Sequence, residues 1–205
     1  MNIKYRIEYR HNKKDFQDVW CLEKNYLEPA TIASINQIIT WDDKNCDIHI
    51  FIRDIEVNKI IGEITILPLS EEQFNKFMSN ELEDTDINEE SLLTFTPNFS
   101  CYLLFSTIAI DPKYRNDRRV LSLLLTGLNY KINYWINNGI IFLNMWAECQ
   151  TIEGQKFIGE FLNLKYQRMT KDGYKLYSFN NTNEFNIWLK KFPIYIDNYN
   201  KNHHL

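Results

Sequence analysis

At 205 residues the chain is long enough for one well-packed domain, and no internal repeat or linker divides it. Apolar residues make up 44% and aromatic residues 15%, enough to fill a core, while a formal net charge of -4 argues against general nucleic-acid binding. No apolar run approaches a membrane span, no secretory pattern opens the chain, and Cys21, Cys46, Cys101 and Cys149 have no metal-ligand spacing. The expectation is a cytoplasmic protein with reduced, mostly buried thiols, no metal site and no membrane contact.

Taken in order, Lys4 to Tyr9 alternates as a strand. Asp15 begins a helix with Phe16, Val19, Trp20 and Tyr26 on its apolar face. Glu28-Pro29 opens a second helix, striped by Ile32, Ile35, Ile38 and Ile39. Asp47 to Asp54 alternates strictly, with Ile48, Ile50 and Ile52 on one face and His49, Phe51 and Arg53 on the other. A turn leads to a second strand, Ile60 to Leu69, in which Glu63 alternates with Thr65 and Leu67. Ser70 to Asn80 reads as a helix, with Ser70 and Gln73 as a capping box. Acidic residues then crowd the chain: Glu81, Glu83, Asp84, Asp86, Glu89 and Glu90. They form either a solvated loop or an acidic rim that attracts a cationic amine.

The informative stretch follows. Leu103 to Ile110 is an apolar, partly β-branched run that suits a buried strand, and Asp111-Pro112 stops it. After an arginine-rich turn, Val120, Leu124, Leu128, Ile132 and Trp135 recur at helical spacing until Asn138-Gly139. A strand end beside a helix N-terminus favours an anion such as a phosphate. Ile140 to Trp146 is another buried strand, and Thr151 to Leu162 another helix. Lys165 to Met169 and Tyr174 to Phe179 flank a hairpin turn ending in Asp172-Gly173. A last helix, Glu184 to Phe192, precedes a polar tail. Trp188 and Phe192, read as exposed aromatics, mark a candidate homodimer surface.

Pro112, Tyr114 and Arg115 after a strand, and a helix opening behind them, resemble the cofactor-binding motif of the GNAT superfamily of N-acetyltransferases. The order of elements from residue 3 to 179 is similar too, with Asn163-Leu164 standing where the family has Gly-Phe. The resemblance implies an α/β (α+β) fold: a GNAT-like single domain over residues 1–180, its mixed, mostly antiparallel, twisted sheet flanked by helices. Residues 181–205 would pack on it as a C-terminal helix and tail. The implied function is acyl-CoA-dependent N-acetylation, moving an acetyl group from acetyl-CoA to an amine of a small molecule or protein by direct transfer. The other reading is a catalytically silent GNAT-like module that binds acyl-CoA or a protein partner.

The resemblance further implies that backbone groups around Ile108, Ala109 and Ile110 bond the pantetheine arm. The turn Arg115, Asn116, Asp117, Arg118, Arg119, Val120 and Leu121 would hold the pyrophosphate. Arg118 and Val120 replace family glycines: either Arg118 and Arg119 compensate with positive charge, or the side chains obstruct the turn. Thr151 and Lys156 would reach the cofactor arm, although Thr151 reads equally as an N-cap. An attacking ammonium must lose a proton, and Glu63 and Glu148 are the candidate bases; each is otherwise an ordinary exposed carboxylate. The family's acidic tyrosine falls on Gly159 in this register, which leaves Tyr102, Tyr166 or water. Cys149 has no histidine nearby in sequence, and direct transfer needs no covalent intermediate.

Overall fold

The computed structural model describes residues 4–82, 86–203 and 205, so Glu83 and Asp84 lie outside the described residues. Seven strands form one sheet in the order β1-β2-β3-β4-β5-β7-β6. They are β1 (Tyr5–Glu8), β2 (His49–Asp54), β3 (Lys59–Leu69), β4 (Ser100–Ile110), β5 (Ile141–Cys149), β6 (Lys165–Met169) and β7 (Lys175–Ser178). Neighbours run antiparallel except β4 and β5, which run parallel. A parallel neighbour needs a crossover, and the helix α4 (Arg118–Asn137) supplies it.

Both faces of this sheet are covered. Ile50, Ile52, Ile64 and Ile66 pack beneath α4 and the terminal helix α6 (Thr182–Asn202). On the other face, Phe51 and Ile60 meet α1 (Lys13–Glu23) and α2 (Ile35–Lys44), while Leu67 and Leu104 meet α3 (Glu71–Met78). Period-two alternation therefore sorts residues between two buried layers, rather than between core and water. His49, Arg53, Glu63 and Thr65 are buried as a result. Arg53 is neutralised where it lies, donating to Glu8 at 2.7 Å and Asp15 at 2.6 Å. Ile48 departs from the alternation, because it precedes β2 and packs with Trp41 and Leu67.

Capping fixes the helix starts. Asn12 accepts from the N–H groups of Lys14 and Asp15, so α1 begins before Asp15 and Asp15 closes the capping box. The second helix starts later than Pro29 suggests. Pro29–Thr31 is a single 3-10 turn, and Ser34 caps α2 by accepting from Gln37 N–H at 3.2 Å. Ile32 is thus extended chain rather than part of a helical stripe. The Ser70–Gln73 box is present at α3. Ile87 and Leu92 anchor the chain beyond it, and Glu81, Asp86, Glu89 and Glu90 are exposed, as a solvated loop requires.

The helix expected over Thr151–Leu162 is two pieces: α5 (Ile152–Lys156), then a π-helical turn, Phe157–Phe161. Gly159 lies under the Tyr177 ring, where a Cβ would sit 3.2 Å from it. Asn163 then adopts φ +63°, a left-handed conformation that asparagine tolerates better than most residues. It thereby fills the place of the family's glycine.

The last helix extends past Pro193 to Asn202, because Phe185, Trp188, Phe192 and Ile196 continue one inward stripe. Trp188 and Phe192 are core residues, 3% and 1% exposed, so they cannot form a dimer surface. Of the cysteines, Cys101 and Cys149 are buried whereas Cys21 and Cys46 are exposed, so "mostly buried" holds for only half of them. No metal-binding cluster of His, Cys, Asp and Glu occurs among the described residues, and no helix there is long and apolar enough to cross a membrane.

Candidate functional site

The site begins with an interrupted ladder. β4 and β5 pair only as far as Leu104 and Trp146, yet β4 continues to Ile110 and β5 to Cys149. Beyond that point the two strands separate, leaving one edge of β4 without a strand partner. Opposite β3, Thr65 pairs with Thr107 and Ile66 with Phe105, which makes Ser106 an extra residue on β4. Such a bulge bends its strand and increases local twist.

A cavity of about 530 Å³ fills the gap. Its walls are β4 from Phe105 to Ile110, β5 from Ala147 to Cys149, and the following Gln150 and Thr151. Val19 and Glu23 of α1, the segment from Tyr26 to Ala33, and Trp41 of α2 close the far side, with His49, Glu63 and Thr65 as the floor. Thr31 Oγ1 donates to Gln150 Oε1 at 3.1 Å and so ties opposite walls together. Tyr26 closes the end nearest α4: its hydroxyl donates to the Ile110 carbonyl and accepts from Arg115 Nε at 3.1 Å. The Arg115 guanidinium lies 4.5 Å from the Tyr26 ring centre.

Of the anticipated site residues, Glu63, Glu148, Ile108, Ala109, Ile110, Arg115, Leu121 and Thr151 line this cavity. Tyr102 is elsewhere. It stacks on Phe74 at 4.4 Å, its hydroxyl 3.5 Å from Glu71, with seven residues of β4 between it and Ile110. Tyr166, on the outermost strand, packs against Tyr177 and also misses the cavity. Lys156 is exposed on α5. Thr151 does cap that helix, accepting from Gly154 N–H at 3.0 Å.

Glu63 is not an exposed carboxylate: it is wholly buried, and neither carboxyl oxygen has a hydrogen-bond partner. Burial, and then the charge of nearby Glu23, push its pKa well above the ordinary carboxylate value. Burial therefore favours its protonated form. Glu148 is half-buried on β5, opposite Leu176. Burial, followed by the Glu148 charge, lifts the Cys149 thiol to about 12, which leaves it protonated and a poor nucleophile. His49 Nδ1 lies 2.9 Å from Thr65 Oγ1, and burial holds the imidazole well below its ordinary pKa.

The turn before α4 resolves the question of its missing glycines. Val120 turns inward and is wholly buried; a Cβ on Gly62 would sit 3.1 Å from its Cγ1. Its side chain fills space above β3 instead of obstructing the turn. Arg118 is exposed, and its charge opposes the effect of burial on the Tyr199 hydroxyl of α6. Arg119 is bound to Asp117, by Nε to Oδ1 at 2.8 Å and Nη2 to Oδ2 at 2.5 Å. Hydrogen bonding to Arg119 holds the Asp117 carboxyl far below the usual carboxylate range. Of the two arginines expected to compensate, Arg119 is therefore neutralised within the turn, whereas Arg118 is exposed.

Tyr26, Glu23, Trp41, His49 and Gln150 complete the site without being singled out in the sequence. Tyr26 reads there only as part of an apolar helix face, and His49 only as part of a strand face. The Tyr26–Ile110 contact spans 84 positions and the Thr31–Gln150 contact 119, so local pattern cannot disclose either.

No protein-family model matches the sequence, and no curated protein matches it. Solved structures do. Arabidopsis thaliana Naa50 in complex with the bisubstrate analogue CoA-Ac-MVNAL superposes with a TM-score of 0.52 at 10% identity, over 86% of this chain and 98% of that one. The GNAT family N-acetyltransferase YhbS of Escherichia coli, in complex with CoA, gives 0.52 at 10% identity, over 89% and 83%. A GNAT-like decarboxylase, GphF, in complex with isobutyryl-CoA, gives 0.55 at 12% identity, over 85% and 98%. The mixed seven-strand sheet, its parting parallel pair and the helices on both faces give this chain the fold of the GNAT N-acetyltransferases.

Proposed function

We propose that the chain is an acyl-CoA-dependent N-acyltransferase that moves an acetyl group from acetyl-CoA to an amine, on a small molecule or a protein, by direct transfer. The observation that carries this reading is the unpaired edge of β4 facing a cavity of about 530 Å³ rich in carboxylates. The β4 edge around Ile108, Ala109 and Ile110 offers backbone groups to the amide-bearing arm of a thioester, and an N–H to the carbonyl oxygen as it gains charge. Glu23, Glu148 and Glu153 line the cavity against one cation among the described residues, Arg115, a balance that favours a positively charged acceptor.

In the reaction, the amine nitrogen forms a bond to the thioester carbonyl carbon and the carbon–sulfur bond breaks. The thiolate departs and takes one proton. The nitrogen, entering as an ammonium, loses two, one before attack and one from the tetrahedral adduct, so that one proton passes to solvent. In this reading Glu148, which lines the cavity, accepts the proton lost before attack, directly or through water. Burial favours the protonated form of Glu63, and a cation entering beside it would favour the ionised form.

Calorimetric titration with acetyl-CoA, followed by turnover against a panel of primary amines, tests the reading. Micromolar binding with turnover is expected, and Glu148→Gln should lower turnover by about 100-fold. Tight donor binding with no turnover on any amine would favour the catalytically silent module. Absence of donor binding at millimolar concentration would overturn both.

A further inference from the structure

We propose that Asp117 is a built-in anion at the N-terminus of α4, and that it makes the site select thioester donors by their acyl-pantetheine half rather than by their nucleotide diphosphate. The inference rests on the acyl-thioester reading above. A donor laid along β4 with its carbonyl beside Ile108 to Ile110 would bring its diphosphate to the turn at residues 111–119, beside the helix dipole.

That position is already filled. Asp117 caps α4, its Oδ1 accepting from Arg119 N–H at 3.1 Å and from Arg119 Nε at 2.8 Å. Its Oδ2 accepts from Arg119 Nη2 at 2.5 Å and from the Tyr5 hydroxyl at 2.7 Å. Four donors thus converge on one carboxylate, which stands where an incoming phosphate oxygen would be bound. Two neighbouring N–H groups are committed as well. Asp117 N–H donates to Tyr114 O at 2.9 Å, and Val120 N–H to Asp117 O at 3.0 Å. Arg115 donates to the Tyr26 hydroxyl, and Arg118 is exposed. A diphosphate arriving here meets a negative charge with its counter-ion in place. The pantetheine half meets the unpaired edge of β4.

The test is titration of the full chain with acetyl-CoA and with S-acetylpantetheine, reading the ratio of the two affinities. In the wild type the two donors should bind within about tenfold of each other, because one anion at a helix N-terminus is worth about that factor. Asp117→Asn keeps the cap but removes the charge and releases Arg119, so the ratio should shift toward acetyl-CoA by about tenfold. Arg119→Gln leaves Asp117 charged and uncompensated, so the ratio should shift the other way. Opposite signs from two adjacent substitutions cannot arise from a shared loss of fold. A wild-type preference for acetyl-CoA of about 100-fold or more would overturn the proposal. So would variants that leave the ratio unmoved or shift it in the same direction. Failure of every form to bind either donor would instead overturn the acyl-thioester reading, and this inference with it.

Discussion

Glu63 shows how much a residue's chemistry depends on its surroundings. Its type and its strand were legible in the sequence, but its proton was not. The folded chain retains that proton at pH values where an unfolded chain, titrating at the ordinary 4.5, has already lost it. Folding therefore takes up a proton, and stability falls as pH rises from the ordinary carboxylate value toward the raised one. Glu63→Gln should flatten that fall, which thermal unfolding between pH 5 and pH 8 would reveal (roughly the span above the ordinary carboxylate pKa). An unchanged slope would mean that Glu63 ionises normally. Glu148 lies on the same cavity without that degree of burial, and the two carboxylates have distinct expected effects. Glu148→Gln acts on turnover, whereas Glu63→Gln also acts on stability against pH.

At the scale of elements, the packing of α4 on β3 depends on a matched pair. Gly62 leaves the room that Val120 occupies, and a Cβ there would also approach Leu124 Cδ1 at 3.3 Å. Gly62→Ala should cost about 1–3 kcal/mol as an overpacked contact. Val120→Ala in the same chain should recover part of that loss, and a double-mutant cycle by urea unfolding measures the coupling. The turn after the π-helical segment gives a second expectation. Asn163→Gly should be tolerated, whereas Asn163→Val should lose about 1–2 kcal/mol, because a β-branched residue resists φ +63°. The resemblance supplied both positions, Val120 and Asn163, as departures from a glycine pattern. Only the packing shows that one substitution is accommodated by a glycine on the next element and the other by the residue's own backbone tolerance.

For the whole molecule, α6 is part of the core rather than an appendage. Phe185, Trp188, Phe192 and Ile196 join the same buried cluster as α4, and Ser122 of α4 donates to Asn200 at 2.5 Å. Trp188→Ala should therefore lower the free energy of unfolding by about 3–5 kcal/mol. Analytical ultracentrifugation should show no change in assembly state, since that ring faces inward. A variant of unchanged stability and altered assembly would restore the dimer reading of this helix.

The sequence by itself determined the succession of elements. Period-two runs, helical stripes, a capping box and a glycine-ended hairpin are local signals, set by backbone sterics and by which face must be apolar. The strand–turn–helix at Pro112 to Val120 belongs to the same class, and it pointed to the fold. Tertiary structure decided what depends on groups distant in the chain. It buried both faces of the sheet, so His49 and Arg53 lie inside and Glu63 is not the ordinary exposed carboxylate of the alternative reading. It ended the β4–β5 ladder at Leu104, which opened the cavity. It also set Arg119 against Asp117 and turned Trp188 inward. Burial and pairing are properties of three-dimensional neighbourhoods, and no period along the chain encodes them.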